Sequence, residues 1–276
     1  MTKAERILLA FFILCLLAGC GSSDDREAIA TADAHLDSHA GHDNHDSNGL
    51  QAMFSFSSGE PRAKEKEELA VHITDETGKP IKDFEQNHEK LLHLIIVSKD
   101  LSYFSHLHPA YEGNGIFRVP LTFPAGGKYR VFTDFKPVRG ESTTLGEWLK
   151  VEGAPGKTVS VQVDQVQEKV VGDKEISLST NKLKVNEEAT LTFSIRDART
   201  KEQIRDLEPY LGATGHVVIL SRDADHYLHV HPLDEASSGP DAQFVTSFPK
   251  PGIYKIWGQF QHRGEVFTVP FVVQVE

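Results

Sequence analysis

Along most of the chain, apolar and polar residues alternate. Met53-Phe54-Ser55-Phe56 and residues 68–74 (ELAVHIT) place an apolar side chain at every second position, the period of a strand with one buried and one wet face. The runs LIIV at 94–97 and VVIL at 217–220 are continuously apolar and read as buried strands. In the first half, further strands are predicted over 116–123, 129–135, 145–151 and 158–163. In the second half they are predicted over 176–185, 189–195, 216–220, 244–248, 253–260 and 266–275. Turns separate them, as at Asp75-Glu76-Thr77-Gly78-Lys79-Pro80 and at 124–127. About seven short strands per half, with turns every eight to twelve residues, predict an all-β chain of two sandwich domains, over 51–164 and 165–276.

The two halves repeat one another. Residues 93–109 read HLIIVSKDLSYFSHLHP and residues 216–232 read HVVILSRDADHYLHVHP. His93, Asp100, His106, His108 and Pro109 return as His216, Asp223, His229, His231 and Pro232, each 123 positions later. Beyond Pro232 the offset becomes 125, matching the turn FPAGG at 123–127 to FPKPG at 248–252. Near the end the copies diverge, and Asp134-Phe135-Lys136-Pro137 faces Gln259-Phe260-Gln261-His262. Gly127-Lys128-Tyr129-Arg130-Val131 and Gly252-Ile253-Tyr254-Lys255-Ile256 each resemble the tyrosine corner of immunoglobulin-like sandwiches.

A duplicated core keeps apolar residues; this duplication also keeps three imidazoles per copy. His106 and His108, like His229 and His231, are two residues apart, so in extended chain each pair points to one side. Leu107 and Val230 then point to the core, and Pro109 and Pro232 end the pairing. If His93 or His216 lies on the neighbouring strand, three nitrogens can meet one cation at about 2.0–2.1 Å. This places one site in each sandwich, with water, a carboxylate or His262 as fourth ligand. Neutral imidazole suits copper(II), zinc and nickel, and such a site would empty below roughly pH 6 as protons compete for the nitrogens. Asp100 and Asp223 read as turn residues, and His72, His88 and His226 as ordinary polar positions. A structural alternative for the doubled HxHP is a turn whose imidazoles bind backbone carbonyls. An enzymatic alternative starts from His106-x-His108-x3-Glu112 and His229-x-His231-x3-Glu235, which match the metal half-motif of cupins and predict a closed barrel. The glycines that flank that motif in cupins are absent, and no other nucleophile or phosphate-loop motif is present, so no enzymatic activity is expected.

The N-terminus adds an address. Lys3 and Arg6 precede an apolar run over 7–17, too short to span a bilayer, which ends in Leu17-Ala18-Gly19-Cys20. LAGC resembles the lipobox of bacterial lipoproteins, which implies a signal peptide over 1–19 and a lipidated Cys20 anchoring the chain to the extracytoplasmic face of a membrane. The other cysteine, Cys15, falls in the removed segment, so a mature chain would hold no disulfide and no thiolate metal site. Residues 20–50 read as a disordered tether rich in Asp, Ser, Ala and His. His35, His39, His42 and His45 within it form a weaker metal-capture tract. The net charge of −11 argues against a nucleic-acid partner and suits a cation binder.

The repeated segments, together with Tyr210-Leu211-Gly212-Ala213, are similar to secreted bacterial lipoproteins with tandem YtkA-like domains of immunoglobulin or cupredoxin type. That resemblance implies an exported β-sandwich associated with handling copper or another heavy metal. The expected function is a membrane-anchored, non-enzymatic metal binder, copper first and zinc second, which buffers the ion or hands it to a membrane transporter or metalloenzyme. A cell-surface interaction or scaffold module without metal is the alternative. A two-cupin metal-dependent oxidoreductase ranks below both.

Overall fold

The computed structural model describes residues 49–276 apart from His229. The signal peptide, Cys20 and the tether histidines His35, His39, His42 and His45 lie outside the described residues, as does His229. Every regular element among the described residues is a strand. The first sandwich contains β1 (Gln51–Phe56), β2 (Glu67–Thr74), β3 (Phe84–Glu85), β4 (Leu92–Ser98), β5 (Phe104–Leu107), β6 (Ala110–Gly113), β7 (Ile116–Leu121), β8 (Gly127–Pro137) and β9 (Thr143–Val151). The second contains β10 (Glu168–Val171), β11 (Lys174–Thr180), β12 (Glu188–Asp197), β13 (His216–Ser221), β14 (Tyr227–Leu228), β15 (His231–Pro232), β16 (Asp241–Ser247), β17 (Gly252–His262) and β18 (Glu265–Val275).

These strands form four sheets. Sheet β1-β2-β7-β6 packs on sheet β3-β8-β4-β5, which β9 extends along β8. In the second half, sheet β14-β13-β17-β18 packs on sheet β10-β11-β12-β16-β15. One core joins Leu69, Val71 and Phe117 to Leu92, Leu94, Ile96 and Val131. Its counterpart joins Leu191, Phe193 and Phe244 to Val217, Ile219, Ile256 and Phe260.

A third core lies between the sandwiches. Ile95, Val97, Leu101 and Phe132 of the first half pack with Val218, Leu220, Ala224, Tyr227 and Trp257 of the second. Strand period accounts for it: Leu92, Leu94 and Ile96 face their own sandwich, so Ile95 and Val97 face the other way. The continuous apolar runs are therefore strands covered on both sides, and the repeats cover each other. Phe104 stacks on Trp257 across this seam at 4.7 Å, and the Lys255 ammonium donates to the Leu101 carbonyl at 2.7 Å.

Both tyrosine corners are present. The Tyr129 hydroxyl donates to the Ala125 carbonyl at 2.8 Å and the Tyr254 hydroxyl to the Lys250 carbonyl at 2.9 Å, each four residues upstream. Gly127 and Gly252, two residues before each tyrosine, share a φ near 142° and 145° that an L side chain rarely adopts.

Some expected elements differ. Residues 158–163 form no strand; they run as an extended connection, tied by Val159 N–H to Asp100 Oδ2 at 2.8 Å. The strand expected over 176–185 stops at Thr180, where Asn181 turns the chain and binds the backbone of Glu188 and Thr190. The cupin barrel is not formed. Glu112 pairs with Arg118 at 2.8 Å and Glu235 is exposed, and neither belongs to the histidine cluster.

Candidate metal centre

His93 sits on β4 with the same parity as Ile95 and Val97, so it faces the second sandwich, 1% exposed. His106 on β5 lies directly opposite Ile95 and shares that face, while Leu107 opposite Leu94 turns towards its own core. His108, two residues on, returns to the face of His106. One ring nitrogen from each of His93, His106 and His108 lies within 4.8 Å of the other two, the one group of three potential metal ligands among the described residues.

The outer nitrogens are held by acceptors. His93 Nε2 lies 2.9 Å from the Asn87 carbonyl, and His106 Nδ1 lies 2.7 Å from Gln259 Oε1. The inner nitrogens, His93 Nδ1 and His106 Nε2, face each other at 2.9 Å. A neutral imidazole has one N–H and one lone pair. With both N–H groups directed outwards, two lone pairs meet inside, an arrangement a cation between them stabilises. His108 Nε2 is buried with no hydrogen-bond partner. Anchoring a ligand's outer N–H on a carbonyl is the usual outer-shell arrangement around metal-bound histidines.

Burial depresses the basicity of the cluster. His106 is pushed down to about 3, first by burial and then by repulsion from His93 and His108, against weaker opposing effects of Gln259 and Asp134. His108 is lowered to about 4, again mainly by burial. Protons therefore compete for these nitrogens at a lower pH than the value near 6 expected from sequence. Asp134, 2% exposed, is the cross-strand partner of His93 and carries the carboxylate nearest in register.

Among the described residues, the second half shows no triad like that of the first. His216 occupies the position in β13 equivalent to His93, faces the seam, and stacks on His93 with ring centres 5.4 Å apart and planes 10° from parallel. Its ring also lies 4.8 Å from that of His106. His231 is exposed on β15, which pairs with β16 in the second half's other sheet. His262 has the parity of Ile256 and Phe260, so it points into the second sandwich, away from His216, and its Nε2 meets Asp206 at 3.1 Å. Among the described residues, one triad therefore forms, at the seam, and His262, one of the fourth ligands considered alongside water or a carboxylate, faces away from it.

The sequence reading passed over several neighbours. His88 and Glu89 occupy positive φ in a two-residue turn closed by Asn87 and Lys90, the form of a hairpin turn, and bring the His88 ring 5.5 Å from that of His216. Asp134 and Gln259 stand where the two copies diverge. Asp100 and Asp223 are turn residues, as expected: Asp100 accepts from the hydroxyls of Ser98 and Ser102, and Asp223 from that of Ser221.

The molecule is thus a tandem all-β protein whose paired sandwiches, each with a tyrosine corner, enclose a histidine cluster at their seam. The chain belongs to the family described as "Domain of unknown function (DUF8832)", whose model matches it twice, over residues 46–153 and 168–276. Among curated proteins, none matches the chain. Similar solved structures include the Escherichia coli adhesin FdeC, 15% identical with a TM-score of 0.27, where 84% of this chain covers 65% of that one. Invasin, a bacterial integrin-binding protein, is 14% identical with a TM-score of 0.23 over 80% of this chain and 39% of its own. A two-domain fibronectin type III segment of chicken tenascin is 14% identical with a TM-score of 0.24, over 80% and 97%. The chain therefore spans about two-thirds of the FdeC structure's length and well under half of invasin's.

Proposed function

We propose that this protein is an extracytoplasmic, lipid-anchored binder of a divalent transition metal, copper first and zinc second, held by His93, His106 and His108. It carries out no chemistry on the ion; it buffers it or passes it to a membrane transporter or metalloenzyme. The observation that carries the reading is the pair of inner nitrogens 2.9 Å apart whose outer partners are both carbonyl oxygens. Two nitrogens at that separation, each about 2.0–2.1 Å from one ion, subtend about 90°, closer to the tetragonal angle of copper(II) than to a tetrahedron. Asp134, the cross-strand partner of His93, places a buried carboxyl group beside the site. The tether histidines His35, His39, His42 and His45 would collect ions, and a diacylated Cys20 would hold the whole at the membrane.

The same short contacts also suit the metal-free interaction module. If the Gln259 amide is turned over, its NH2 donates to His106 Nδ1, His106 Nε2–H to His93, and His93 Nε2–H to Asn87. That chain of donors needs no ion and would make the cluster a latch between sandwiches that serve as a rigid surface scaffold. Copper and zinc titration by calorimetry, with elemental analysis, separates the two readings. The chain used has His35, His39, His42 and His45 replaced by Ser so that the tether is silent. The metal reading expects one tightly held ion, lost in His93→Ala and in His106→Ala. Equal metal content in these variants and their parent would sink it and leave the scaffold. Cys20→Ala, which should abolish incorporation of labelled palmitate, tests the anchor separately.

A further inference from the structure

The repeats meet at the cluster but contribute to it unequally. In each, the histidine that opens or nearly opens the central strand has a cross-strand partner on the long strand beside it, and such partners share a face. For His93 the partner is Asp134; for His216 it is Gln259. The carboxylate of one copy is an amide in the other, and here the pseudo-symmetry breaks. Gln259 reaches across the seam to accept the Nδ1–H of His106 at 2.7 Å. Its own amide nitrogen donates to Thr268 Oγ1 at 3.2 Å, which holds the plane of the amide beside His106. Thr268 is in turn the β18 residue opposite Gln259. His216 lies flat on His93, whereas His231 is exposed and His262 faces the other side of its sheet.

We infer that the second repeat completes the first repeat's site, with Gln259 as the positioning residue that fixes the His106 tautomer. The inference rests on the metal reading above. An oxygen at Nδ1 obliges the proton to stay there, so Nε2 presents its lone pair towards His93 and His108. Thr268 sets Gln259, Gln259 sets His106, and His106 meets the ion. Since the ligands come from the first sandwich and Gln259, which orients one of them, from the second, the ion also ties the two halves together.

Copper(II) titration and electron paramagnetic resonance on the tether-silent full chain test this, with Gln259→Leu, Gln259→Glu, Thr268→Val and His231→Ala. One ion per chain is expected. Gln259→Leu should weaken binding about 10–100-fold, the usual cost of losing an outer-shell partner, and change the copper hyperfine splitting. Gln259→Glu, whose oxygens can only accept, should restore the parent spectrum and tight binding. Thr268→Val should fall between, and His231→Ala should match the parent. If the parent chain binds no copper, the metal reading fails and this inference with it. One ion held with unchanged affinity and spectrum in Gln259→Leu overturns the inference alone. Should Gln259→Leu not fold, Gln259→Glu and Thr268→Val decide: binding or spectra that follow neither pattern overturn it.

Discussion

Removing His106 should make the metal-free protein less sensitive to acid. In the folded chain His106 is held down at about 3, against 6.5 for the free side chain, chiefly by burial. Between those values the unfolded chain binds a proton there and the folded one does not. The folded value is depressed for a base, so its neutral form favours the fold at high pH. The unfolded state gains protons as pH falls, so stability rises with pH across the window from about 3 to 6.5 and is lost on acidification. Each pH unit below 6.5 costs about 1.4 kcal/mol per fully excluded imidazole, so at pH 5 His106 alone costs roughly 2 kcal/mol. His108, lowered to about 4 but partly open to water, adds a smaller amount in the same direction. Against a total stability of about 5–15 kcal/mol this is readily measured. Urea denaturation in chelator at pH 7.5, 6 and 5 should show the parent losing about 2 kcal/mol more than His106→Gln over that range. Equal losses in the two chains would refute the claim that the folded chain holds His106 in its neutral form.

Other perturbations test the frame around the cluster. Asp134→Asn should weaken metal binding and leave the metal-free fold intact by circular dichroism, because it keeps the side chain's shape while removing a carboxyl group that a cation beside His93 would hold ionised. Trp257→Ala empties the seam where Trp257 stacks on Phe104; it should cost about 3–5 kcal/mol by denaturation and expose the 152–165 connection to limited proteolysis. Tyr254→Phe should cost about 1 kcal/mol, the net worth of one hydrogen bond to Lys250, without changing metal content. Gly215→Ala should destabilise sharply and disturb the site, since a Cβ there would lie 2.5 Å from Phe260 and 2.8 Å from the Gln259 carbonyl, next to His216.

Much of the fold could be read from the chain because strand period and turn chemistry are local. The alternation at 68–74, the turn chemistry of Gly78 and Pro80 and the paired Gly-x-Tyr corners each act within a few residues. The convergence of His93 with His106 and His108 was legible for the same reason, since β4 and β5 are neighbours joined by the Ser98–Asp100–Ser102 turn. Short strands such as β3 and β15 were not, because two residues carry no period. The 158–163 stretch failed in the opposite way: it holds three valines in alternation but meets no sheet edge, and Val159 is half exposed. Alternation prepares a strand; only an available partner makes one.

The larger omission concerns what covers a strand. A sandwich of two sheets buries one face of each, so Leu92, Leu94 and Ile96 account for the first core and leave Ile95 and Val97 unexplained. An unbroken LIIV, repeated as VVIL, therefore already requires something apolar against its second face. The repeat supplies it: two copies of one apolar face are mutually complementary, and a pseudo-two-fold packing brings their opening histidines together. From that step His216 belongs with His93 instead of with His231, and His262, of opposite parity on β17, is excluded. The divergence of Asp134 from Gln259 then gains a meaning that sequence comparison alone could not give. Once the equivalent faces are pressed together, the buried carboxylate stays beside its own cross-strand partner His93, whereas the amide reaches across the seam to His106.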